Sequence, residues 1–360
     1  MGAGLVRAGF DEAGLGPTLG PLVVAGFATR GPRSARTRGP IDDLLAPMAA
    51  LVGGPGRRVK GDRRIEVGDS KKIHTGSRKF ERIERTALAT VAWMRGELPD
   101  TVGELLQWVS APQPALVAER EAERPEDRRA PWWRTLDETL PVVCARDELL
   151  ELGADLGALG RRVGVEPLWY RADVLSAARV NRELRVEAAR VDTKSSKNTW
   201  ATHAVLRHAA CCVQALDAPE MALWCDKAGG RKAYLEPLDR AFAHLGLDGE
   251  GDSSVGLVDE TRPRSRYLLA TGGRRVDLGF VMGGDRLDPR ISWASILAKY
   301  LRELIMRSFN RYFRAALAEA GETLRPTAGY PEDARRFITS VEAALGEGAG
   351  LGRDAWVRSK

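Results

Sequence analysis

Residues 9–17 read Gly9-Phe10-Asp11-Glu12-Ala13-Gly14-Leu15-Gly16-Pro17, and this stretch constrains the rest of the chain more than any other. An apolar segment (Leu5, Val6, Ala8, Phe10) runs into two adjacent carboxylates, which meet a turn too rich in Gly and Pro to continue a helix or a strand. A second apolar run follows, Leu22-Val23-Val24-Ala25 and then Phe27, without polar alternation. That is the pattern of a strand buried on both faces. Residues 3–11 and 21–29 are therefore expected as two strands, the second central in a sheet. The acids fall where a strand stops. An ionised carboxylate away from water is costly unless it is paired or holds a metal, so the choice is between a solvated Asp-Glu turn and a cation site.

Other stretches add to the opening one. Gly68-Asp69-Ser70-Lys71-Lys72 precedes a stripe at Phe80, Ile83, Ala87, Val91 and Met94 that has helical spacing. The small and apolar residues between Thr199 and Leu216 predict a buried helix, leading into a strand from Met221 to Cys225 that ends at Asp226. Tyr267–Ala270 and Val276–Val281 flank a Thr-Gly-Gly turn and read as a hairpin, with Asp285 after it. Pro289 then precedes a long helix carrying Ser292, Ser295 and Lys299 near its start and Trp293, Leu297, Tyr300, Leu301, Leu304 and Phe309 on its apolar side. Adjacent acids suit chelation better than the opposed pair of a glycosidase, whose carboxyl groups flank a bond at roughly 5 Å or more. Four hard oxygen donors, Asp11, Glu12, Asp226 and Asp285, match magnesium or manganese.

The ordered set Asp11-Glu12-Ala13-Gly14-Leu15-Gly16, Asp69-Ser70-Lys71-Lys72, Asp226, Asp285 and Ser295-Ile296-Leu297-Ala298-Lys299 resembles the ribonuclease HII family. Members of that family carry an Asp-Glu-Ala-Gly-x-Gly opening, an Asp-Ser-Lys-Lys segment and a Ser-Ile-Leu-Ala-Lys helix after the last Asp. Gly329-Tyr330-Pro331 with Asp333 is similar to the family's Gly-Tyr-Pro segment. The resemblance covers about residues 3–95 and 198–340, roughly two thirds of the chain. It implies an α/β fold, a ribonuclease H-like mixed sheet flanked by helices, with an inserted mostly helical region and a C-terminal helical segment. The expected organisation is a catalytic domain from 1–97 and 198–324, an insertion at 98–197, and a segment 325–360 contributing Tyr330.

The same resemblance implies metal-dependent endonucleolytic hydrolysis of RNA in RNA/DNA hybrids, including ribonucleotides embedded in duplex DNA, with Mg2+ or Mn2+ as cofactor. Asp11, Glu12, Asp226 and Asp285 become the catalytic and metal-binding residues; Asp11 would bridge two ions roughly 4 Å apart and Asp226 would hold the one nearest the leaving group. Gly14, Leu15, Gly16, Lys71, Lys72, Arg231 and Tyr330 become candidates for substrate binding. The chain departs from the pattern at two points. Leu15 stands where the family has Arg, a position at which the sister ribonuclease HIII group has a similar non-Arg residue, and Arg335 stands where a bacterial relative often has His. The alternative function is a catalytically weak or inactive nucleic-acid-binding relative with altered substrate choice. A dinucleotide-binding enzyme is excluded by the glycine spacing after Gly14 and by acids at the phosphate turn.

Composition agrees without deciding. The chain has 360 residues, 44% hydrophobic and 29% charged, as in an ordinary globular protein of one or two domains. Lys and Arg outnumber Asp and Glu by 55 to 49, which favours a polyanionic partner. The four cysteines lack the paired spacing of a zinc site and are expected to be reduced and packed. Nowhere do enough apolar residues run together for a membrane span, so a cytoplasmic protein without a membrane partner is expected. In the middle of the chain, Pro131-Trp132-Trp133-Arg134 and Leu168-Trp169-Tyr170-Arg171 admit two readings: aromatic platforms for bases, or tryptophans packing a subdomain onto its host. Residues 118–124 read as a solvated charged helix face, 191–198 as a polar loop near a phosphate backbone, and Gly229-Gly230 as a turn whose amides meet phosphate.

Overall fold

The apolar runs on either side of the acidic turn form the strands β1 (Leu5–Ala13) and β2 (Leu22–Gly31), paired antiparallel with Asp11 opposite Ala25. In this computed structural model the described residues are 4–32, 44–56, 62–111, 130–188, 196–216, 218–227, 231, 233–243, 254–271 and 273–359. Successive side chains of a strand point to opposite faces. In β2 this sends Val23, Ala25 and Phe27 into one hydrophobic cluster and Leu22, Val24 and Ala28 into another. Both faces are covered, which is why the run is continuously apolar.

A short parallel pair, β3 (Val52–Gly53) and β4 (Ile65–Glu66), stands apart from the main sheet. The main sheet has seven strands and adds β5 (Glu166–Leu175), β6 (Glu220–Asp226), β7 (Ser254–Glu260), β8 (Arg264–Thr271) and β9 (Arg274–Val281), in the order β5-β2-β1-β6-β9-β8-β7. Three antiparallel strands, β5-β2-β1, are followed by β6 and β9, both parallel to β1, and then by the antiparallel extension β8-β7. Helices Lys79–Arg95, Arg146–Val163 and Pro289–Glu319 pack on one face, and Ser196–Leu216 with Leu235–Ala243 on the other. This is the mixed α/β sheet flanked by helices that the sequence implies.

The Pro289–Glu319 helix is the longest element, 31 residues, started by Pro289 and capped by Asp288, whose carboxylate accepts from Arg290 N at 2.8 Å. Its first turns lie directly on β1. A Cβ on Gly9 would stand 2.2 Å from Ile291 N and 2.4 Å from the carbonyl carbon of Arg290, so only glycine permits this approach. Beyond the sheet, the far half of the helix packs with Trp132, Phe337 and Trp356 in a third apolar cluster.

The expected boundary at 97/198 does not coincide with a break in the fold. Within 98–197, β5 is a strand of the main sheet paired with β2, and helix Arg146–Val163 packs in the same cluster as Lys79–Arg95. Glu84, fully buried, ties in the connecting segment by accepting from the amides of Val142, Val143 and Cys144 at 2.8, 2.7 and 2.8 Å. The tryptophans there are core: Trp132 packs edge-on to Phe309 with ring centroids 5.0 Å apart, and Trp169 is buried on the opposite face. Neither is a platform for bases. Residues 118–124, most of 191–198 and the Gly229-Gly230 turn lie outside the described residues. Among the described residues no helix is long and apolar enough to cross a membrane.

The close approach at Gly9 sets a stability test. Gly9→Ala places a methyl group against helix backbone and is expected to destabilise the protein by about 2–3 kcal/mol in urea unfolding. Gly16→Ala, where a Cβ would meet nothing within 4 Å, is expected to change stability by no more than about 0.5 kcal/mol. Equal effects would contradict this packing.

Candidate active site

Parallel pairing brings the acids together. β1 and β6 run in register with Phe10 beside Cys225, so Asp11 and Asp226 are the next residues on neighbouring strands. β6 and β9 put Asp226 beside Val281, and the chain then turns at Met282 and Gly283 into the short helix Gly284–Leu287, which carries Asp285. Asp226 Oδ1 accepts from Gly284 N at 2.7 Å, joining the two strand ends directly. Glu12 follows Asp11 within β1, and Glu12 N donates to Asp11 Oδ1 at 2.8 Å.

These carboxylates act on one another. Burial, and then the neighbouring Glu12 and Asp226, push the Asp11 carboxyl well above its usual range, against the pull of Lys299 and a hydrogen bond from Ser295. Burial and then Asp226 push Glu12 up to about 7, again opposed by Lys299. Asp226 is also raised, by burial first and by Asp285, while the amides of Gly284 and Lys227 and the charge of Lys71 work the other way. Acids this close in a desolvated setting favour the protonated form or a counter-cation.

The Asp69-Ser70-Lys71-Lys72 segment and the long helix close over the far side. Asp285 Oδ2 accepts from Ser70 N at 2.9 Å and from Ser70 Oγ at 2.6 Å. Lys299 Nζ donates to Ser70 Oγ at 2.9 Å and to Ser295 Oγ at 2.6 Å. Ser292, by contrast, bonds the backbone of Gly68 through its hydroxyl, at 2.7 Å from the amide and 2.8 Å from the carbonyl. Asp69 caps the helical turn Ser70–Ile73, which leaves Lys71 and Lys72 exposed at the rim. Ser70, absent from the expected site residues, is the hinge of this network. Its signal was its place in the Asp-Ser-Lys-Lys motif, read there for its lysines only.

The turn after β1 carries Gly14, Leu15 and Gly16. Gly14 has φ +96°, and a Cβ there would meet Pro21 O at 2.6 Å and Arg302 Nε at 2.7 Å. Leu15 is half-buried against the apolar cluster beneath it, whereas Gly16 is exposed. Gly329 O accepts from the amides of Thr18 and Leu19 at 2.7 and 3.1 Å, so the segment before Tyr330 is docked on this turn. Tyr330 itself is 58% exposed. Arg231 is turned elsewhere: its guanidinium donates to Ala233 O and Thr199 Oγ1 and lies over the Tyr234 ring, and no described contact joins it to the acids.

The donor chemistry fits a hard divalent cation: carboxylate oxygens from three strand ends, mutually repelling and only partly balanced by Lys299. Among the described residues, however, no three His, Cys, Asp or Glu side chains converge on a single ion-sized point. The fit is therefore one of donor type and electrostatics.

No family model and no curated protein matches this chain. Solved structures do. The ribonuclease HII in the PCNA:RNase HII complex from Archaeoglobus fulgidus is 16% identical with a TM-score of 0.35, over 99% of this chain and 95% of that one. Bst-RNase HIII in complex with Mn2+ is 15% identical with a TM-score of 0.37, over 99% of this chain and 67% of that one. The ribonuclease H2 from Pyrococcus horikoshii OT3 is 13% identical with a TM-score of 0.33, over 98% of this chain and 94% of that one. Likeness of this extent carries no argument about activity, which has to come from the chain's own carboxylates.

The raised Glu12 carboxyl gives a pH test. Folding takes up a proton on Glu12 between its ordinary value of 4.5 and about 7. Metal-free stability therefore falls as pH rises through that window, because there the folded state binds more protons than the unfolded chain. Glu12→Gln is expected to raise metal-free stability by on the order of 2 kcal/mol near pH 8 and to change it little near pH 5. A Gln variant less stable than wild type near pH 8 would show that the acids do not repel one another.

Proposed function

We propose that the protein is a metal-dependent endonuclease of the ribonuclease H type, hydrolysing the RNA strand of RNA/DNA hybrids, including ribonucleotides embedded in duplex DNA. The observation that carries this reading is the clustering of four acids at neighbouring strand ends: Asp11 and Asp226 follow paired residues of parallel strands, and Asp226 is bonded to Gly284 beside Asp285, so that Asp226 raises Asp11 and Glu12 and is itself raised by Asp285. Carboxyls that raise one another at partly buried strand ends favour a counter-cation.

Asp11, Glu12, Asp226 and Asp285 would hold Mg2+ or Mn2+. When bound, such ions supply an activated water and neutralise charge on the leaving oxygen in an in-line displacement at phosphorus. The chain's own residues do the rest. Ser70 fixes Asp285 through two hydrogen bonds and is fixed in turn by Lys299. Lys299 offsets part of the repulsion acting on Asp11 and Glu12. Lys71, exposed and within electrostatic reach of Asp226, is placed to meet a phosphate, as is Lys72 beside it. The Gly14–Gly16 turn offers backbone to the strand, and the exposed ring of Tyr330 stands next to it, ready to stack on a sugar.

One observation favours the second reading, a nucleic-acid-binding relative with weak turnover or altered substrate choice. Leu15 packs its side chain inward, so the turn presents no guanidinium of its own to the ribose.

Labelled RNA/DNA hybrid in Mg2+ or Mn2+ separates the two. Wild type is expected to cleave it, and Asp11→Asn to cleave at least about 100-fold more slowly while still binding it. Cleavage by the variant at the wild-type rate would refute the nuclease reading, and binding without products by wild type would select the second.

A further inference from the structure

The Gly14–Leu19 turn is held from behind by two buried arginines that lie far from it in sequence. The Arg358 guanidinium, 5% exposed, donates to Pro17 O and, at 3.3 Å, to Leu15 O. Its backbone amide donates to Thr18 O at 2.9 Å, and Val357 bridges to Leu19. Arg302, 6% exposed, donates from one terminal nitrogen to Leu19 O at 3.2 Å and to Ala328 O at 3.0 Å, while its buried Nε has no hydrogen-bond partner among the described residues. The carbonyls of the turn are thus drawn inward, and its outer face, at Gly16, is open.

The electrostatics are unusual for buried groups. The charge acting on Arg358 is that of Arg302, a second cation, and burial with this repulsion lowers Arg358 to about 9, still protonated at neutral pH. Glu303, next to Arg302 in the helix, supports the charge of Arg302 and is also engaged with His74 at 3.4 Å, whereas no described carboxylate acts on Arg358. A buried cation in that position is costly unless a counter-charge arrives. An anion on the open side of the turn supplies one.

We infer that Arg358, together with Arg302, is a positioning device for the turn after β1: it fixes the backbone of residues 15–19 and places positive charge behind it, so that the open face receives a backbone phosphate of the nucleic-acid strand. This inference rests on the proposed function and deepens it. The cation that position 15 lacks is supplied from the 353–359 segment, through the floor of the turn.

The segment does not depend on Arg358 for its own anchorage. Trp356 is fully buried, Asn181 Nδ2 donates to Val357 O at 2.8 Å, and Ser359 N donates to Asn181 Oδ1 at 2.6 Å. Point variants of the full chain are therefore the appropriate probes. Arg358→Met and Arg358→Lys are compared with wild type for binding of a fluorescein-labelled RNA/DNA hybrid in Ca2+ buffer, and for hydrogen exchange at the amides of Thr18 and Leu19. The Met variant is expected to bind about tenfold more weakly and to exchange those two amides at least about tenfold faster, with the Lys79–Arg95 helix unchanged. The Lys variant, which keeps the charge but not the guanidinium's donor geometry, is expected to bind between the Met variant and wild type. Unchanged affinity and exchange in the Met variant, a Lys variant no better than Met, or faster exchange across the whole molecule would overturn the inference. Wild type that binds hybrid in an Arg358-dependent way but never cleaves it would instead fail the nuclease reading and keep this one.

Discussion

Parallel pairing of β1, β6 and β9 is the constraint on which the site depends. Two parallel neighbours end on the same side of a sheet, so acids at the ends of β1 and β6, and just beyond β9, share one rim whatever their separation in sequence. The chain then has to keep like charges together against their own repulsion. It does so with apolar packing on the adjoining part of the strand, where Val6, Ala8 and Phe10, on one face of β1, are buried next to the acids. Core burial and electrostatic tension are opposite ends of one short strand.

The long helix is the second half of that arrangement. Glycine at position 9 allows it to lie on the backbone of β1, and this proximity lets Ser295 and Lys299 reach the acids and Ser70. A bulkier residue at position 9 would lift the helix and move its lysine. Packing and charge balance are coupled through one missing methyl group. The same helix carries Arg302 one turn further on, so the acidic cluster and the basic floor of the neighbouring turn are set by a single rigid element.

Much of this was legible in the sequence, for identifiable reasons. Asp11 and Glu12 stood at the end of an apolar run, Asp226 ended a second, Asp285 followed a hairpin, and the structure places each at or just past a strand end on one rim. Local pattern could not show that β5 belongs to the main sheet, because its Trp169-Tyr170-Arg171 run reads equally well as an exposed aromatic cluster. Burial of Trp169 and Tyr170 against opposite faces is a property of the partner strand β2. Ser70 was hidden by its lysine neighbours, since a hydroxyl that bonds a carboxylate 215 positions away leaves no mark on spacing. Arg358 was hidden more deeply, 341 positions from the carbonyl that it holds. Arg231, expected at the site for its place after Asp226, is instead bonded to Thr199 and Ala233, a pairing that its neighbours in sequence do not announce.

If the acids form one cation centre, a carboxylate on β6 must matter to an ion gripped by β1. Calorimetric titration with Mn2+ of wild type and of Asp226→Asn, at a pH where the carboxyls are ionised, measures this without any substrate. Wild type is expected to bind Mn2+, and the substitution to weaken that binding at least about tenfold. Absence of binding by wild type, or the same affinity in both proteins, would contradict a single cation centre.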